Sequence, residues 1–262
     1  MITVAFASPA ARPAGFLRRL NPLAKIAAVL PAMISLFLVR GTGIPLVFGV
    51  IALVLLVAGA RLPARLTVLV LLGAPLMTLA LSLGFSVWVD PARIDQGAVL
   101  LTVGEWRFTT GMWLIGFGTA LRIVAMTCLA LVPGLTTVGA DLAHAMIQQL
   151  HVPYRVGYAV LTAFTFPPRL RREAWSVRAA YRVRGRVAGR GYAGRVQEAA
   201  RLPVPVLTGA IRHAERVALT MDSRGFGAHR TRTERHPIRL HATGVVFAVA
   251  GWAVTAGILM FV

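Results

Sequence analysis

Five long apolar stretches run along the chain, separated by short polar or charged segments. They cover residues 23–39, 44–59, 66–88, 111–133 and 242–262. Crossing the roughly 30 Å hydrocarbon core of a bilayer takes about 17 to 25 apolar residues in a helix, and each stretch meets or approaches that length. The pattern predicts an all-α fold, a polytopic membrane helical bundle with about five spans.

The first two apolar stretches are the shortest of the five. Only Arg40-Gly41-Thr42-Gly43 lies between them, so we expect a tight helical hairpin. Pro31 and Pro75 fall inside predicted spans and are expected to kink them, which neighbouring helices can accommodate.

Between residues 134 and 240 the apolar positions become periodic instead of continuous, which predicts amphipathic helices. Residues 138–151 predict a short helix with one apolar face, formed by Leu142, Ala145, Met146 and Leu150. Residues 154–184 predict a longer helix bent near Pro167-Pro168. Its apolar start at 154–166 leaves open an additional half-span or re-entrant piece.

A glycine-containing connector and a third helix are predicted to follow. Residues 186–195 contain three glycines and predict a flexible connector. Residues 204–224 predict a helix with one apolar stripe, formed by Leu207, Ile211, Ala214, Ala218 and Met221. The chain is thus expected to divide into a membrane region at 1–133, a coupling-helix region at 134–240 and a last span at 241–262.

Composition supports a membrane protein with a basic cytoplasmic part. The chain is 57% hydrophobic and 14% charged, whereas soluble domains have about 25% charged residues. It carries 28 basic and 9 acidic residues. Its one cysteine, Cys128, lies in an apolar stretch, which excludes a disulfide framework and predicts a buried thiol. No signal peptide is evident at the N-terminus.

The placement of the basic residues predicts the orientation in the membrane. Residues 150–240 hold 18 of the 28, whereas the 89–110 loop mixes acidic with basic side chains. By the positive-inside rule, the N-terminus and residues 134–240 are expected in the cytoplasm, with 89–110 and the C-terminus outside. Five crossings fit this alternation, so we expect a multi-pass protein of the cytoplasmic membrane.

Two Arg-Gly signatures each close a predicted cytoplasmic helix. They are Tyr181-Arg182-Val183-Arg184-Gly185 and Met221-Asp222-Ser223-Arg224-Gly225-Phe226. Glycine after the last turn is a common helix cap, and arginine there complements the helix dipole, which explains either one alone. Their recurrence on two helices predicts that Arg184 and Arg224 project towards a partner, because guanidinium pairs with carboxylates or carbonyls in a fixed fork.

Sites for chemistry are not evident. The one lysine, Lys25, is not preceded by a glycine-rich loop, so the chain has no P-loop. The sequence also shows no arrangement of serine, histidine and an acidic residue that would support catalysis. We therefore predict no enzyme activity and no cofactor. His144, His151 and Asp141 could be considered as metal ligands, but Asp141 suits a helix start better, and no metal site is predicted. Arg122, midway along the fourth span, is expected to pack against a carbonyl or carboxylate.

Several short segments together resemble the transmembrane T component of energy-coupling factor (ECF) transporters, the EcfT/CbiQ/BioN-like family. The similar segments are Arg18–Lys25 with its Asn-Pro-x-x-Lys core, Thr136-Thr137, Asp141–Ala145, Val152–Arg155, Ala214–Ala218 and the two Arg-Gly signatures. The resemblance covers most of the chain. Val183 departs from the small residue that usually opens the first tip.

This resemblance implies a coupling subunit of an importer. Its tips, Val183-Arg184-Gly185 and Ser223-Arg224-Gly225, would dock into grooves on two ABC-type ATPase subunits, which hydrolyse ATP. The apolar helix faces would carry a separate substrate-binding membrane protein, the S component, which releases a vitamin or a transition-metal ion inside. Membrane lipid would surround the spans, and no nucleic acid would be bound.

A different class of function would also explain the charge. A membrane-anchored basic protein could hold anionic lipid or nucleic acid through its many arginines. Such a surface needs spread charge, whereas Ile211, Ala214, Ala218 and Met221 are unsuited to a nucleic-acid face. A stand-alone secondary transporter is a third alternative, although paired repeats and an intramembrane acid are not evident.

Overall fold

The computed structural model describes residues 15–39, 41–89, 98–103, 106–185, 191–229, 238 and 240–261. The fold is an all-α helical bundle, as predicted. Its helices are α1 (Phe16–Arg19), α2 (Pro22–Leu38), α3 (Gly43–Val54, continued by a π-helical turn Leu55–Gly59), α4 (Ala64–Val87), α5 (Thr110–Thr136), α6 (Gly139–Gln149), α7 (Tyr154–Val183), α8 (Tyr192–Arg201), α9 (Pro203–Ser223) and α10 (Ala242–Phe261).

The chain forms two compact units. The first comprises Met1–Val138 and Arg239–Val262, and the second comprises Gly139–Ile238. In the first unit, α4, α5 and α10 are long and apolar enough to cross a membrane, while α2 and the α3 segment are shorter apolar helices of at most 17 residues. All five predicted apolar stretches are therefore helical, and two of them are short.

The core of the first unit lies where α2, α3 and α5 meet. It contains Leu36, Phe48, Ala52, Leu129 and Val132. Cys128 is buried in the same cluster, as predicted. Pro31 lies within an uninterrupted α2 and Pro75 within an uninterrupted α4, so neither proline ends its helix.

Two cations, the buried Lys25 and the partly buried Arg122, bind helix ends in this unit. Lys25 is 1% exposed, and its Nζ donates to the carbonyl oxygen (3.1 Å) and Oγ1 (3.3 Å) of Thr136, at the end of α5. Arg122 donates from Nη2 to the carbonyl oxygen of Val39 at 2.9 Å, just after α2. The predicted carbonyl partner of Arg122 is confirmed. Both contacts place a positive charge where a helix dipole is negative.

The segment predicted as the 89–110 loop contains a β-hairpin. Strand β1 (Val99–Val103) pairs antiparallel with β2 (Trp106–Thr109). The residue types of both strands favour extended structure, since β-branched and aromatic residues predominate. Each strand has only four or five residues, too few for the alternation of apolar and polar positions to be apparent beside long apolar helices.

Two details of the second unit differ from the prediction. The connector predicted for 186–195 is wrong from Tyr192 onwards, because α8 begins there; residues 186–190 lie outside the described part. In α6 the buried residues are Ala143 and Ala145, whereas Met146 and Leu150 of the predicted face are 39% and 57% exposed. Ile147 instead contacts Gly157, where an added Cβ would collide with its side chain.

Candidate coupling site

Helix α7 ends at the first Arg-Gly signature in a left-handed glycine cap. Gly185 has φ +68°, and its amide donates to the carbonyl oxygen of Arg182 at 3.1 Å. The amide of Arg184 still donates to Ala180, four residues back, so Arg184 is the last residue held by the helical ladder. Only glycine adopts this φ without steric cost, which explains why it follows Arg184.

Helix α9 ends in the same way, with a complete Schellman motif. Gly225 has φ +66° and donates to the carbonyl oxygen of Asp222 at 2.9 Å, while Phe226 donates to that of Met221 at 3.0 Å. These two bonds satisfy carbonyls that a helix end otherwise leaves without partners. Both signatures therefore have the predicted glycine caps, and an arginine stands at each C-cap.

The residues at both helix ends are exposed to solvent. Val183 is 89% exposed, and Arg184, Gly185, Ser223, Arg224 and Gly225 are exposed as well. The Ser223 hydroxyl donates to the carbonyl oxygen of Thr220 at 3.1 Å, which occupies it within its own helix. An exposed Val183 buries no apolar surface in this chain and is free to do so against a partner.

The turn after the second signature is attached to the start of α7. Tyr154 Oη donates to the carbonyl oxygen of His229 at 2.6 Å, and Arg155 Nη2 donates to that of Gly227 at 2.7 Å. The ring of Phe226 packs edge-on against Tyr154 and Tyr158, with centroids 5.6 and 6.1 Å apart. These contacts fix the backbone from which Arg224 projects.

Helices α7 and α9 run antiparallel, with the two signatures at opposite ends of the pair. Leu202 and Val206, at the start of α9, lie beside Leu170 and Ala174 of α7. The turn after α9 lies beside Tyr154, the first residue of α7. Because α7 has 30 residues, its path from the second signature to the first is about 45 Å long. Two separate partner sites can therefore be reached at once.

Positive charge dominates the surface between the two ends. His213 of α9 faces Arg169 of α7, and partial burial together with Arg169 and Arg216 lowers the pKa of His213. The lowered pKa favours the neutral form of this imidazole. Any partner that covers this surface must supply negative charge or accept hydrogen bonds.

The sequence matches the family described as CbiQ, cobalt transport protein, over residues 14–235. The chain belongs to the CbiQ family. The predicted resemblance to the T component of ECF transporters is confirmed. The three long apolar helices and the transporter family also support the expected multi-pass membrane protein.

One curated relative of this CbiQ-family chain is named as an ABC transporter protein. It is a putative ABC transporter ATP-binding protein of Bifidobacterium longum (strain NCC 2705), 26% identical over 245 residues. The match covers 89% of this chain and 30% of the relative, so the chain spans less than a third of that protein's length. The CbiQ-family chain is thus similar to one part of an ABC transporter protein.

Sequence reasoning named the signature residues of the CbiQ-family chain but missed the groups that hold them. Tyr154, Arg155 and Tyr158 contact a turn more than 65 residues away, which no local pattern reveals. The signal available was Phe226, an aromatic residue directly after a helix cap. Among the described residues, no three His, Cys, Asp or Glu side chains lie close enough together to hold a metal ion.

Proposed function

We propose that this chain is the transmembrane coupling subunit of an ECF-type importer. The observation that carries the proposal is the pair of exposed Arg-Gly helix ends at opposite ends of the antiparallel α7–α9 pair. Each ATPase subunit would grip one end, with Val183-Arg184-Gly185 in one groove and Ser223-Arg224-Gly225 in the other. When the ATPases close on ATP, the ends move and shift α7 against α9.

Charge and geometry support the docking role of the two arginines. A guanidinium that leaves a capped helix end presents its planar fork without bending the chain, and it pairs with carboxylate or carbonyl groups bidentately. Phe226 and its tyrosine partners keep the second end rigid, so movement of the partner would be transmitted into α7 and not absorbed by a loose turn.

The relative with an ATP-binding name supports a functional link between this chain and ABC-type ATPases. This chain has no P-loop, so we infer that the ATP-binding part of that relative lies in the portion this chain does not match. In this proposal, two ABC-type ATPase subunits act beside the membrane component.

A substrate-binding membrane protein would complete the importer. Exposed apolar side chains of α9, including Val204, Leu207 and Ile211, give it a surface to contact. The substrate class is a transition-metal ion or a vitamin, and the family description makes cobalt the first ion to test. The N-terminus and the second unit are placed in the cytoplasm in this proposal.

A pull-down from mild detergent tests the coupling role. The tagged chain is co-expressed with candidate ABC ATPases and membrane partners, and bound chains are identified by mass spectrometry. We expect Arg224→Glu to lower ATPase recovery by at least tenfold, because one reversed charge at a desolvated pair costs about 2–5 kcal/mol. The variant should still insert into the membrane.

Arg212→Glu is the matched control, since Arg212 is exposed on the same helix but lies away from its end. It should bind the ATPases like the unaltered chain. Undiminished ATPase recovery with Arg224→Glu would count against the coupling model. Recovery of only lipid or nucleic acid with the unaltered chain would instead favour a membrane-anchored basic protein that binds anionic lipid or nucleic acid.

A further inference from the structure

A cavity lies between α7 and α9 and extends from the middle of the helix pair to Met221 and Phe226 of the second signature. It has a volume of about 470 Å³, within the range of small-molecule sites. On α7 its lining follows one helix face, because the residues recur every three or four positions: Arg155, Ala159, Thr162, Phe166 and Arg169. On α9 the lining runs from His213 to Met221.

One end of the cavity is strongly positive. Arg169 and Arg172 lie one helical turn apart, so both guanidinium groups can reach the same anion. His213 lines the same cavity from α9, and its lowered pKa, caused by partial burial and by Arg169 and Arg216, is consistent with the local positive potential. None of the described residues that line the cavity is acidic.

Apart from Arg155, Thr162 and Thr165, the rest of the cavity is apolar. Ala159, Val217, Ala218 and Met221 line it, and Phe226 lies at its far end. A fully polar anion would fill the arginine end and leave this apolar surface in contact with water. A ligand with an anionic head and a hydrocarbon part would use both, since burial of apolar surface is favourable by about 25 cal/mol per Å².

We propose that this cavity binds an anionic glycerophospholipid. The phosphate lies between Arg169 and Arg172, and the first part of one acyl chain lies along Ala159, Val217 and Met221. Guanidinium matches phosphate bidentately, and basic pockets between helices of membrane proteins bind lipid head groups in this way. The apolar start of α7 is followed directly by the arginines, as at a membrane–water interface.

The phosphate-binding end of this site is separate from the coupling residues, because neither Arg169 nor Arg172 belongs to the two helix ends, whereas Met221 and Phe226 of the second signature line its other end. Lipid in the cavity would fill space between α7 and α9 and so restrict how far the two helices shift. The second unit would then respond to the anionic lipid content of its membrane, whatever partner its helix ends engage.

Native mass spectrometry of the purified full-length chain in detergent tests the site. Phosphatidylglycerol and phosphatidylcholine are titrated separately, and the bound fractions are compared. We expect the chain to retain phosphatidylglycerol preferentially and Arg169→Gln/Arg172→Gln to bind it about 10- to 30-fold more weakly, since each basic residue near a lipid surface contributes about fivefold. Binding of phosphatidylcholine should not change.

Arg178→Gln/Arg182→Gln is the matched control, with the same change of charge at exposed positions of α7 outside the cavity. It should retain the preference. The proposal is overturned if both lipids bind equally, if the Arg169/Arg172 variant keeps the preference, or if millimolar inorganic phosphate displaces phosphatidylglycerol completely. It is also overturned if that variant loses a membrane partner protein but keeps phosphatidylglycerol, which would make the cavity a protein-docking site.

Discussion

At the scale of single residues, the candidate site depends on two glycines in left-handed conformation. Gly185 and Gly225 end their helices at φ +68° and +66°, and each leaves an arginine as the last residue of the helix. Residue type alone predicts this geometry, because a glycine directly after a helical arginine is a cap signal. The function assigned to the arginines needs the cap, since a continuing helix would bury or redirect them.

Gly225→Ala tests whether the cap positions Arg224. An added Cβ would lie 3.9 Å from Ala228 Cβ, an ordinary contact, so the cost is conformational and amounts to about 1–2 kcal/mol. We expect the turn to shift and recovery of ATPase in the pull-down to fall several-fold, with little change in thermal unfolding. Gly225→Asn is the control, because asparagine tolerates this conformation and should restore binding. Equal losses in both variants would show that the cap geometry does not matter.

Contacts between residues far apart in sequence were beyond prediction at this scale. Lys25 and Thr136 are 111 residues apart, and Arg155 and Gly227 are 72 apart. The sequence marks Lys25 as the one lysine in an otherwise arginine-rich chain, yet its partner depends on how α2 packs against α5. The type of partner of Arg122 could be predicted, because a cation in the middle of a span needs a polar partner and backbone carbonyls are the nearest polar groups.

At the scale of elements, α4 and α5 approach each other through small residues. At Gly116 of α5, an added Cβ would lie 2.7 Å from both the carbonyl oxygen of Ser82 and the amide of Ser86 on α4. Ser82 and Ser86 are fully buried there. Small residues let helix backbones approach closely in membranes, where dispersion contacts and not water drive association.

Gly116→Ala should therefore separate α4 from α5. Because backbone atoms of Ser82 and Ser86, together with the Ser86 hydroxyl, would collide with the new methyl group, we expect a loss of about 1–3 kcal/mol in stability, measured as earlier thermal unfolding in detergent. Gly73→Ala on α4 is the control, since its added Cβ meets nothing within 4 Å. Equal unfolding temperatures for Gly116→Ala and the unaltered chain would refute the close crossing.

The elements themselves were predicted well where the hydrophobic pattern is long. The five apolar stretches and the three main helices of the second unit are all present, with ends displaced by a few residues. The β1–β2 hairpin and α8 were missed, because α8 has ten residues, each strand has five or fewer, and such short signals are weak beside long helices. The predicted face of α6 is correct at Ala145, which is buried, but wrong at Met146 and Leu150, which are exposed, because burial there is decided by tertiary packing and not by hydrophobicity.

At the scale of the whole molecule, the coupling role depends on which side of the membrane each part faces. The basic residues concentrate in the second unit, and the positive-inside rule predicts that this unit faces the cytoplasm. This orientation matters because ATPases that use cytoplasmic ATP can reach the two helix ends only from that side. The end of α4, at Trp88, is expected on the opposite side.

Thiol labelling of sealed vesicles decides the orientation, and the chain suits it because its one native thiol, Cys128, is buried. Ser176 is exposed on α7, and Trp88 is 89% exposed. A membrane-impermeant maleimide should label Ser176→Cys only in inside-out vesicles and Trp88→Cys only in right-side-out vesicles, while the unaltered chain stays unlabelled in both. Labelling of Ser176→Cys from the outer side would place the arginines where no ATPase can reach them, and the coupling role would fail even if the helix ends are formed as described.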